Sequence, residues 1–132
     1  MNVLKSKWFN KWSKKYKIAD DSLMSAIDNF DRSSVVDLGS GLYKIRIPRL
    51  KQGKSGGFRT LVIFSKDDLA LFMLGFAKNE KGNINAADLN DLRKQAKYIL
   101  SFSKEHVEKL VDNGTFIKVE TKDEKRKKKR KG

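Results

Sequence analysis

The chain has no cysteine and a single histidine, His106. Disulfide stapling, thiol catalysis and cysteine-ligated metals are thereby excluded, and so is a histidine-rich metal site. Proline is almost as scarce, with Pro48 alone. No segment approaches the roughly 20 apolar residues of a membrane-spanning helix, and the basic opening MNVLKSKWFNKWSKKYK has no continuous apolar stretch. A soluble, cytoplasmic protein is the expectation. The most local absence is of carboxylates, because none occurs between Leu38 and Ser65. A metal nuclease that holds its ions with clustered carboxylates has no ligands there, and no cofactor or metal is expected.

What fills that stretch is positive charge. Residues 41–60, GLYKIRIPRLKQGKSGGFRT, carry Lys44, Arg46, Arg49, Lys51, Lys54 and Arg59. The whole chain has a net charge of +14, and its last residues, KDEKRKKKRKG, hold eight cations against two anions, so +8 remains on residues 1–121. A domain this basic favours a polyanionic partner, nucleic acid first and an anionic membrane surface second. At 132 residues and 39% hydrophobic the chain suits one compact domain with a modest core. The expected division is a single domain over residues 1–121 and a disordered basic tail over 122–132, since EKRKKKRKG has nothing to bury.

Two helices are expected first. Trp8, Phe9, Trp12 and Tyr16 recur at helical spacing within Lys5 to Tyr16, read as core packing rather than as a base-stacking platform. Asp20 or Asp21 offers an N-cap for the second helix, with Leu23, Ile27 and Phe30 on one face and an end near Arg32. Short β-prone runs then follow: VVDL, LYKIRI, FRTLVIF and LALFMLGF, separated by GSG, PRLKQGKSGG and SKDD. They read as consecutive antiparallel strands. Asn85 with Asp88 resembles a capping box opening a third helix, and Ser103 opens a fourth that Asn113-Gly114 closes. FIKVE suggests a last strand. The fold class is α+β.

Strand alternation sorts the cations. Tyr43, Ile45 and Ile47 point to one side and Lys44 and Arg46 to the other, while Arg59 faces away from Phe58, Thr60, Val62 and Phe64. If the two strands are neighbours, Lys44, Arg46 and Arg59 converge on one exposed sheet face, near the strand end where GFAKNE places Lys78, Asn79 and Glu80. Such a cluster is costly unless an anion occupies it, and phosphate is the obvious anion. Arginine offers a planar fork to phosphate oxygens and lysine a compact charge whose proton is tunable, so a mixed set suits binding and proton transfer together. GKS at Gly53 to Ser55 is not a P-loop, because the required first glycine falls on Pro48 and a strand, not a helix, follows. His106, beside Glu105 on a late helix, reads as an ordinary surface or half-buried residue.

Taken together, LYKIRI, GKSGGFRT, the strand ending in FAKNE and the helix opening NINAADL resemble the RelE/ParE superfamily of toxins, and most closely its RelE/HigB-like branch. The resemblance runs from about Trp8 to Val119. It implies two N-terminal helices packed on a twisted, mainly antiparallel sheet of about four strands, with C-terminal helices beside it. It also implies a toxin of a type II toxin–antitoxin system that cuts mRNA in the ribosomal A site, touching mRNA and rRNA. A cognate antitoxin, with a helix-turn-helix as in many HigB-like systems, would neutralise it. Residue by residue, Lys44 and Arg46 match the basic strand pair, Arg59 the arginine after the loop, Lys78 the basic position closing the late strand, and Lys54 a loop lysine of the HigB-like branch. Asn79 departs from the pattern where some members have arginine, and NEKGNI holds no tyrosine or histidine.

Metal-free RNA cleavage needs a base for the 2′-hydroxyl, an acid for the leaving oxygen and positive charge for the phosphorane. The expected assignment gives Arg46 and Arg59 the phosphorane, Lys44 or Lys54 the proton, Lys78 the phosphate or leaving group, and Glu80 the base or the orientation of Lys78. Two other readings of the same cations remain: a non-catalytic RNA- or ribosome-binding module, and a gyrase poison of the ParE type.

Overall fold

A computed structural model of the chain describes residues 1–31, 35–48, 57–77 and 84–124. The elements run β1 (Asn2–Ser6), α1 (Lys7–Lys15), α2 (Asp20–Asp28), β2 (Val35–Gly39), β3 (Leu42–Ile47), β4 (Phe58–Ser65), β5 (Leu69–Ala77), α3 (Ala86–Leu100), α4 (Lys104–Asp112) and β6 (Phe116–Lys118). The strands form one sheet in the order β2-β3-β4-β5-β1-β6. The middle of the expected α+β order is present as read. The sheet is larger than expected, with six described strands instead of about four, and it is mixed, because β1 runs parallel to β5 while its other pairings are antiparallel. Among the described residues no helix is long and apolar enough to cross a membrane.

The additional strand at the start replaces what reads in the sequence as the first turn of a helix. Val3, Leu4 and Lys5 are all buried, since β1 lies between β5 and β6. A buried lysine hides the strand from pattern reading. It is tolerated because Lys5 Nζ donates to Asp20 Oδ1 at 2.8 Å, the only ion pair among the described residues. Asp20 Oδ2 also accepts from the backbone N–H of Glu120 at 2.9 Å. That carboxylate is therefore engaged in tertiary contacts, and the N-cap of α2 falls to Ala19, which makes no side-chain capping bond. The other expected caps hold: Ser103 accepts from His106 N, and Asn85 accepts from Asp88 N at 2.8 Å. Ser6 caps α1 by accepting from Phe9 N at 3.0 Å and donates to the Met73 carbonyl.

The sheet separates two apolar layers. On one face Phe9, Trp12, Leu23 and Ile27 of α1 and α2 pack against Ile45, Ile47, Phe58, Val62 and Phe72. On the other, Leu92, Ala96 and Ile99 of α3 and Val107 of α4 cover Leu4, Leu42, Leu61, Ile63 and Leu71. The aromatic stripe is thus core at Phe9 and Trp12, but Trp8 is 48% exposed. Trp12 packs directly on Gly75, where an added Cβ would stand 2.3 Å from its ring, so the close approach needs glycine.

Candidate functional site

Arg46 of β3 is the cross-strand partner of Arg59 of β4, with Ile47 opposite Phe58 and Lys44 opposite Leu61. Strand alternation puts Lys44, Arg46 and Arg59 on the face away from α1 and α2. They share that face as expected, but the face is not simply exposed. Its Leu61 and Ile63 belong to the layer beneath α3 and α4, and all three cations are half-buried.

The two arginines meet over Gly57. A Cβ built on that glycine would lie 2.8 Å from Arg46 Nε, 3.3 Å from Arg59 Nη1 and 3.4 Å from Arg46 Nη2. Both guanidinium groups therefore rest against one point on the chain, which the missing side chain leaves open. Among the described residues, Arg46 Nε and Arg59 Nη1 are buried without a hydrogen-bond partner, and no carboxylate pairs with either arginine. Two like charges facing the same glycine repel, and an unsatisfied N–H on a charged group adds a desolvation cost. An oxyanion held by both forks offsets both terms, so the arrangement is that of an anion cradle. Lys44, two residues along the strand, adds a third positive charge to the face. A groove of about 420 Å3 between α2 and the end of β3 is lined by Asp21, Ser22, Ser25 and Asn29 with Ile47 and Pro48; it touches Arg46 but opens on the α2 side of the sheet and includes a carboxylate, so it is separate from the cradle.

Lys54, Lys78 and Glu80 lie outside the described residues. The last described residue of β5, Ala77, is the partner of Phe58, one residue before Lys78 in the sequence. His106 is exposed on α4 and stacks on Phe102, with ring centroids 4.1 Å apart. It has no part in the cationic face. Gly57 is the site residue that sequence reading passed over; its signal was the Gly56-Gly57 pair directly before a strand that opens with arginine in second place.

No curated protein matches the sequence. The family model for the RelE toxin of the RelE/RelB toxin–antitoxin system matches residues 1–119, which takes in every described element through β6 and both arginines of the cradle. The chain belongs to the RelE family and is the toxin of a toxin–antitoxin pair, with a cognate antitoxin as its partner.

Proposed function

We propose that this toxin is a ribosome-dependent mRNA endonuclease that cleaves RNA without a metal at the Arg46–Arg59 cradle. The observation that supports the reading best is the pair of guanidinium groups converging on Gly57 with one buried nitrogen each that no described residue partners. A phosphate bridging the two forks would satisfy both donors.

In the reaction the 2′-oxygen forms a bond to the adjacent phosphorus and the bond from phosphorus to the 5′-oxygen breaks. The products are a 2′,3′-cyclic phosphate and a free 5′-hydroxyl. Charge builds on the non-bridging oxygens of the phosphorane, and Arg46 and Arg59 are the donors that meet it. Lys44 or Lys54 moves the proton, Lys78 contacts the phosphate or the leaving oxygen, and Glu80 takes the 2′-proton or orients Lys78. DNA has no 2′-hydroxyl and is not a substrate. The antitoxin is of the helix-turn-helix kind that accompanies HigB-like toxins, and action on mRNA in the ribosomal A site places the protein in the cytoplasm.

Arg59→Ala tests this. Growth inhibition and A-site cleavage should fall by about 100-fold or more, by analogy with loss of one oxyanion-hole donor, while the purified protein keeps its fold. Cut sites on cellular mRNA, mapped after brief expression, report the activity directly. Wild-type cleavage in a folded Arg59→Ala variant would remove the cradle from the mechanism. An absence of cuts with the wild type, coupled to RNA binding that weakens gradually with salt, would make the protein a non-catalytic binder.

A further inference from the structure

Helix α1 carries Lys7, Lys11, Lys14 and Lys15 and no carboxylate, and all four lysines are exposed. At 100° per residue they fall on one side of the helix, with Trp8 at the border between that side and the buried Phe9 and Trp12. The indole of Trp8 is held in place. It stacks on Trp12 with ring centroids 6.1 Å apart and an interplanar angle of 15°, and Trp12 is itself fixed edge-on against Phe58.

The other large exposed hydrophobics among the described residues are Met1, Val36 and Tyr98, none of them on α1. Trp8 is therefore the one exposed aromatic on the described part of α1, at the edge of the lysine stripe. That composition fits a protein partner poorly, because protein interfaces bury a contiguous apolar centre and are depleted in lysine. It fits single-stranded RNA well, where lysines neutralise the backbone and an aromatic ring accepts an unpaired base. From Lys7 to Lys15 the helix rises about 12 Å, the run of three to four stacked nucleotides.

We propose that the outer face of α1 is a second RNA-contact surface, in which Lys7, Lys11, Lys14 and Lys15 neutralise backbone phosphates while an unpaired base stacks on Trp8. It lies across the sheet from the arginine cradle: Phe9 and Trp12 pack on the face that carries Phe58, and Arg59 points to the other. Binding there is separate from cleavage, so the inference survives or fails independently of the endonuclease reading.

The test uses the full chain and an unstructured 2′-O-methyl oligoribonucleotide of mixed A, C and U, which lacks the nucleophile for cleavage. The chain has two tryptophans, so its emission reports Trp8 and Trp12 alone. Titration should quench the wild-type emission. In Trp8→Ala the remaining Trp12 emission should not be quenched, and affinity should drop roughly 5- to 100-fold. Lys11→Gln with Lys15→Gln, a change of exposed side chains only, should keep the indole signal and reduce the salt slope of binding by about 1.4. Binding without quenching in the wild type overturns the proposal, as does an unchanged slope in the lysine variant. Stronger quenching by a polyglutamate peptide than by the RNA also overturns it, giving the face to an acidic protein partner.

Discussion

Gly57→Ala separates the convergence of the two arginines from the charge of either. The backbone of Gly57 lies outside the left-handed region, so alanine fits it without strain. The new methyl would stand 2.8 Å from Arg46 Nε, where ordinary contact begins near 3.4 Å, so that nitrogen must withdraw by about 0.6 Å. A guanidinium on a flexible stem can yield that far, and alanine also lowers the entropy of the unfolded chain, so stability should change by less than about 1 kcal/mol. Function should not be spared in the same way. A misplacement of about 1 Å costs about 100-fold in rate, and moving one of two phosphate donors by half that should cost about 10- to 100-fold. Thermal unfolding and ribosome-dependent mRNA cleavage, measured on the same preparation, check both halves. A folded Gly57→Ala protein that cleaves at the wild-type rate would refute the cradle; a loss of several kcal/mol would show that Gly57 is needed for folding instead.

Two further predictions concern the frame that holds the site. Asp20→Ala leaves Lys5 buried with an unpaired charge and also removes the carboxylate oxygen that accepts from the Glu120 N–H, so urea denaturation should show a loss of about 3–5 kcal/mol, unlike the small effect of breaking a surface pair. Gly75→Ala would put a methyl 2.3 Å from the Trp12 ring and should cost about 1–3 kcal/mol by overpacking, with a shift in tryptophan emission as Trp12 moves.

The strands from VVDL to LALFMLGF and the caps at Asn85 and Ser103 were legible because each rests on local chemistry, alternation in one case and a side-chain oxygen placed before a helix in the other. The same alternation determined that Lys44, Arg46 and Arg59 share a face. It could not determine which residue stands opposite which: sliding β3 by two positions against β4 keeps every side chain on its face, and the long connection between them imposes no register. Only the packed sheet set Arg46 against Arg59 and brought both to Gly57. Strand β1 was hidden for a related reason, since Lys5 is acceptable in the centre of a sheet only because Asp20, fifteen residues on, reaches it. The two sides of α1 were likewise settled by packing, which buried Trp12 over Gly75 and left Trp8 beside the lysines. By itself the sequence determined where the positive charge lies and which way it faces, because both follow from local periodicity. The partners each group meets depend on contacts between distant segments, and those the tertiary structure decided.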